Sequence, residues 1–129
     1  MSDKQYINEW IEKANKDVKA VNKLIEDEDM TEIVCFHCQQ AVEKYLKALL
    51  IFNNEDVQRT HNIDFLLNKC KTYNKDLEKY IGNALTDYAV DLRYPDTRYI
   101  PTIAETKEVV ELMNKIIDDV KNTLNVLEI

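Results

Sequence analysis

From Cys35 to Leu50 the chain is apolar at too many helical positions to form a single stripe. Val34, Cys38, Ala41, Tyr45, Ala48 and Phe52 recur at alternating steps of four and three, and Cys35, Val42, Leu46 and Leu49 form a second row beside them. A helix with two adjacent apolar rows must be covered over most of its circumference, so other elements have to pack around it. A narrow polar strip survives on it: His37, Gln40 and Lys44 follow at steps of three and four, and Lys47 continues the line. Residues at that spacing lie above one another on one helical face. An imidazole, an amide and an ammonium in a row on a core helix are the first candidates for function.

The flanking sequence supplies elements to cover this helix. Ile7, Ile11, Ala14, Val18, Val21 and Ile25 alternate four and three, with Trp10 and Leu24 widening the stripe, which predicts a first helix over about Lys4 to Glu26. The acidic tract Glu26-Asp27-Glu28-Asp29 ends it as a solvated turn, and Asp29 or Thr31 can cap the central helix, which runs to about Asn53. Thr60 or Asn62 can cap a third helix carrying Ile63, Leu66, Leu67 and Cys70, and the chain breaks again around Tyr73 to Asp76. A fourth helix is predicted from Leu77, Tyr80, Ile81, Ala84, Leu85, Tyr88 and Leu92, with Gly82 inside it at a cost of about 1 kcal/mol relative to Ala. Pro95 and Pro101 fence off a loop over Asp91 to Pro101. Thr102 and Glu105 then have capping-box spacing, ahead of a long helix with Val109, Val110, Leu112, Met113, Ile116, Ile117, Val120, Leu124 and Leu127 on its apolar face. The expected fold class is all-α: an antiparallel, up-and-down four-helix bundle with a short additional helix, in one domain spanning residues 1–129.

Composition narrows the setting. One Gly and two Pro leave too little turn material for a multi-strand fold. A formal net charge of -7 argues against a protein that coats nucleic acid with a broad basic surface, while leaving room for a local cationic pocket. Three Cys and a charged N-terminal stretch from Met1 to Glu12 fit a soluble, cytoplasmic protein. The longest uninterrupted apolar run, Ala48 to Phe52, is far too short to span a bilayer, so no membrane partner is expected.

Three places could carry chemistry. Arg93 and Arg98 flank Asp96 in the Pro-fenced loop, where two guanidinium forks can hold a phosphate or pair with Asp96 to brace the loop. Tyr94 and Tyr99 beside them can stack a base or pack the loop. His61 sits at a helix start one residue from Thr60, either as a proton carrier near neutral pH or as a ring bonded to a neighbouring carboxylate or carbonyl. Cys35 and Cys38 have C-x-x-C spacing around His37, but a zinc site would need a second ligand pair, and Cys38 continues the apolar row. No metal ligand set and no cofactor is expected. A single Gly rules out a glycine-rich phosphate loop.

The segment His37-x-x-Gln40-Ala41-Val42-Glu43-Lys44-Tyr45-Leu46-Lys47-Ala48-Leu49-Leu50 closely resembles the signature of the HEPN domain family (higher eukaryotes and prokaryotes nucleotide-binding). Thr60-His61-Asn62-Ile63 with Leu66-Leu67, and then Arg93-Tyr94-Pro95-Asp96, match in the same order. The resemblance covers nearly the whole chain and is carried by three motifs in sequence. It implies a four-helix bundle and a homodimer or higher homo-oligomer with a groove between protomers. Many members resemble metal-independent endoribonucleases that use an Arg and a His with four to six residues between them. Here Arg93 matches the Arg, while the positions for the His hold Arg98, Tyr99 and Ile100. Small stand-alone members resembling this chain often accompany a minimal nucleotidyltransferase and are discussed as toxin–antitoxin pairs.

The expected function is an oligomeric module that binds nucleotide or RNA phosphate through Arg93 and Arg98, with His61, His37 and Lys44 lining or bracing the groove. A minimal nucleotidyltransferase is the implied partner, and the usual ribonuclease pair is missing. Two alternatives stand beside it. One is a metal-independent endoribonuclease in which His61 serves with Arg93. The other is a purely structural interaction module.

Overall fold

The computed structural model describes residues 3–57, 59–82 and 100–128. Four α-helices account for most of them: α1 (Asp3–Leu24), α2 (Thr31–Phe52), α3 (Ile63–Cys70) and α4 (Ile103–Glu128). Two 3-10 segments, Glu28–Met30 and Lys75–Tyr80, complete the regular structure, and the described residues contain no strand. The fold is an all-α bundle, as the helical periodicities require.

The central position expected of α2 holds. Cys35, Cys38, Ala41, Val42, Tyr45, Leu46, Ala48 and Leu49 have no exposed surface. Each fully buried Leu side chain contributes about 1.5–3 kcal/mol relative to an exposed one, so this helix anchors the core. α1 covers one side of it with Ala14 and Val21, and α4 another with Met113, Ile116 and Val120. α3 closes a third side with Ile63, Leu66, Leu67 and Cys70.

Side-chain contacts give the helix directions. Trp10 meets Lys47, Asn15 meets Tyr45 and Asp17 meets both Lys44 and His37, so α1 and α2 run antiparallel. Cys35 meets Thr106 and Tyr45 meets Lys121, so α2 and α4 run parallel. That is the relation of the second and fourth passes in an up-and-down bundle.

The ends of the helices follow the sequence closely, with two corrections. Thr102 and Glu105 form the expected capping box: the Thr102 N–H donates to Glu105 Oε1 at 3.0 Å, and the Glu105 N–H to Thr102 Oγ1 at 3.1 Å. Asn62, one of the two caps considered for α3, accepts from the Phe65 N–H at 3.0 Å. The central helix, in contrast, is capped by neither Asp29 nor Thr31. Asp27 caps the short 3-10 turn instead, accepting from the Asp29 N–H at 3.0 Å, and α2 continues directly from that turn.

The second correction concerns the helix expected to begin near Leu77. Lys75–Tyr80 is a 3-10 turn capped by Asn74; Ile81 is extended, and Gly82 adopts φ +85°. A left-handed residue ends a helix, and Gly takes that conformation without a Cβ clash. The Gly82 N–H donates to Asp64 Oδ1 at 3.1 Å, tying the exit of the turn back to α3. Asn74 also reaches α4, donating to the Asp119 carbonyl at 3.1 Å and to Thr123 Oγ1 at 2.8 Å, while the Tyr80 hydroxyl donates to Asp119 Oδ2 at 2.6 Å. The remainder of the expected helix, from Ala84 to Leu92, lies outside the described residues. No helix among the described residues is long and apolar enough to cross a membrane.

Candidate functional site

The polar strip expected on α2 divides into two clusters, each built on a buried carboxylate. His37 and Lys44 turn toward α1, where Asp17 interrupts the apolar stripe between Ala14 and Val21. His37 Nδ1 lies 2.8 Å from Asp17 Oδ1, and Lys44 Nζ donates to Asp17 Oδ2 at 2.6 Å. The Asp17 side chain is only 10% exposed and the His37 ring 33%, with Phe36 stacked on the imidazole at 5.4 Å between centroids. Two of the residues proposed to face a ligand are therefore committed to one carboxylate inside the α1–α2 contact.

Lys47 does not continue that line. Successive residues on an α-helix are separated by about 100°, so Glu43 beside Lys44 faces a different direction. Gln39, Glu43 and Lys47 stand at steps of four on this second face, and all three are buried. Lys47 Nζ donates to Glu43 Oε2 at 3.0 Å, with the two side chains 6% and 4% exposed. The same ammonium lies 5.6 Å from the centroid of the Trp10 ring on α1, a cation–π arrangement that helps replace lost hydration.

The other oxygen of Glu43 faces His61. His61 Nδ1 lies 3.0 Å from Glu43 Oε1, and the imidazole is 80% exposed while its partner is not. Gln39 Nε2 is 3.5 Å from the His61 carbonyl, a long hydrogen bond that holds the backbone of the same residue. The Asn62 N–H then donates to Thr60 Oγ1, and Asn62 caps α3, so the turn carrying His61 is fixed on both sides. The His61 ring has no second partner among the described residues. Its bonded state was one of the two roles the sequence left open; its exposure keeps the other one available.

Arg93 and Arg98, together with Asp96, Tyr94 and Tyr99, lie outside the described residues. The described part of the site consists of His61 on its Glu43 anchor, with His37 and Lys44 held one helical face away. Glu43, Gln39 and Asp17 are the residues that a sequence reading centred on His37, Gln40 and Lys44 misses, while Lys47 was assigned to the wrong face and Trp10 only to the apolar stripe of α1. The signal was present in Gln39-x-x-x-Glu43-x-x-x-Lys47: three polar residues at i, i+4 and i+8 form a second polar row beside that of His37, Gln40 and Lys44.

The cysteines belong to the core. Cys35, Cys38 and Cys70 are all free and buried. Burial pushes the thiols of Cys35 and Cys38 up from their ordinary range and pushes Cys70 up to about 12, so they remain neutral near pH 7. Cys70 Sγ donates to the Leu46 carbonyl at 3.4 Å, and Cys35 Sγ to Thr106 Oγ1 at 3.9 Å. Among the described residues no group of three or more His, Cys, Asp or Glu side chains is arranged to hold a metal ion. A cavity of about 320 Å³ between α1, the end of α2 and Leu124 is lined by Ile7, Ile11, Ile51 and Phe52. It contains none of the candidate residues.

The sequence profile of the HEPN domain matches residues 7–123, from the first turns of α1 to the last turns of α4. No curated protein and no solved structure matches the chain.

Proposed function

Because the chain belongs to the HEPN family, we propose that it is a module binding nucleotide or RNA phosphate, with His61 presented to the ligand and Arg93 and Arg98 supplying the phosphate contacts. The observation that carries this reading is the exposed imidazole of His61 fixed on buried Glu43. An imidazole that served only to satisfy Glu43 would gain nothing from projecting into water, since Lys47 already neutralises that carboxylate. His37 and Lys44, held by Asp17, brace the helix from which the site is built. Assembly as a homodimer or higher oligomer and docking of a minimal nucleotidyltransferase in the cytoplasm, as in a toxin–antitoxin-like pair, complete the proposal.

Fluorescence anisotropy with a labelled RNA oligonucleotide, competed with nucleotide, tests the binding role. The double variant Arg93→Ala/Arg98→Ala is expected to lose affinity and to bind with a weaker salt dependence than the original protein. Unchanged affinity would remove the proposed site.

The same imidazole supports a second reading, metal-independent RNA cleavage by His61 with Arg93. A largely exposed imidazole oriented by a carboxylate suits a general base, as in the Ser-His-Asp arrangement. Incubation with RNA in excess EDTA decides it, with His61→Ala as the control. Absence of cleavage, or equal cleavage by the variant, rejects it.

A further inference from the structure

We propose that Glu43 is a positioning residue: it fixes the tautomer of His61, so that Nδ1 carries the proton and the Nε2 lone pair is the atom offered to a ligand. An ionised carboxylate can only accept, so its 3.0 Å contact with Nδ1 requires a hydrogen on that nitrogen. In a neutral imidazole the other nitrogen is then unprotonated, because the partner of one ring nitrogen determines the state of the second. Lys47 Nζ donates to the far oxygen of Glu43, and the Trp10 ring lies over Lys47, so the anchor is held from behind by the contact between α1 and α2. Gln39 holds the His61 backbone from the same helical face. The neutral ring therefore presents an acceptor, which suits a ligand group bearing an O–H or N–H, and becomes a donor only once it is charged.

This deepens the proposal that His61 meets the ligand by assigning the nitrogen that does so. It can be tested on the ligand-free full chain, apart from any binding result. The protein contains only two histidines, His37 and His61, so nitrogen-15 labelling at histidine with His61→Ala as the assignment control identifies every ring resonance. At a pH where His61 is neutral, its Nδ1 is expected to show a directly bonded proton and its Nε2 the shift of an unprotonated ring nitrogen. In the double variant Glu43→Leu/Lys47→Met, which leaves no buried charge unpaired, that signature is expected to give way to an average of both tautomers with the helical circular dichroism unchanged. A proton on Nε2 in the original protein overturns the inference, as does an unaltered Nδ1–H signature in a folded double variant. Failure of RNA or nucleotide to bind counts against the proposed function and leaves the assignment of the tautomer to these spectra.

Discussion

Asp17 and Glu43 each hold one imidazole and one ammonium, yet they leave the imidazole in opposite situations. Asp17 joins two helices: its partners His37 and Lys44 both come from α2, and the ring lies stacked on Phe36 within the α1–α2 contact. Glu43 takes its ammonium from its own helix, at Lys47, and its imidazole from the turn before α3, where the ring projects into water. The same three chemical groups thus serve as a clasp in one place and as a mount in the other. What separates them is the origin of the histidine. A helix-borne ring is confined between packed faces, whereas a ring on a short capped turn can be anchored at one edge and exposed at the other.

The largest consequence of this difference concerns the carboxylates. Glu43→Ala leaves the Lys47 ammonium almost fully buried with no counter-ion, and is expected to cost about 3–5 kcal/mol in denaturant unfolding. Asp17→Ala strands two groups that still reach solvent, and is expected to cost about 1.5–3 kcal/mol, the value of hydrogen bonds to charged partners. A larger loss at Asp17 than at Glu43 would invert the assignment of depth. The histidines sharpen the contrast further. His37→Ala removes a clasp and is expected to cost about 1 kcal/mol. His61→Ala removes an exposed ring and should stay within about 0.5 kcal/mol of the original stability. Equal losses at the two histidines would show that His61 is a structural clasp as well. Acylation of imidazole by diethyl pyrocarbonate, followed by peptide mass analysis, should modify His61 before His37.

The parts of the molecule legible in the sequence were those governed by local chemistry. Two apolar rows on α2 identified the central helix because nothing but burial explains so wide a nonpolar surface. Thr102 and Glu105 marked a helix start because the capping box is satisfied within four residues. The turn at Lys75–Tyr80 was less legible: the apolar spacing of Leu77, Tyr80 and Ile81 suits a helix, while Asn74 and the left-handed Gly82 impose a different backbone. Propensity placed Gly82 inside a helix at a modest cost; its actual position is at a break.

The candidate site was harder for a physical reason. Glu43 and Lys47 have the spacing of an ordinary solvent-exposed ion pair, and sequence alone does not reveal that the face they share is covered. Asp17 was more open to detection, since it falls within the apolar stripe of α1 between Ala14 and Val21. A carboxylate in such a stripe requires a partner across the interface, and His37 and Lys44 were the polar residues available on the facing helix. His61 stood out in the sequence as a histidine at a helix start, but its anchor lies on a helix 18 residues earlier in the chain, beyond the reach of local patterns.

The packing of Trp10 against Lys47 gives the chain an optical reporter. This is the sole tryptophan, and its indole N–H is out of water with no hydrogen-bond partner among the described residues. Its fluorescence should be sensitive to an ammonium 5.6 Å from the ring centroid, and that ammonium is bonded to the carboxylate holding His61. Displacement of His61 from Glu43 is expected to shift the electric field at the indole, so movement of the surface ring can be followed by tryptophan emission without attaching a dye.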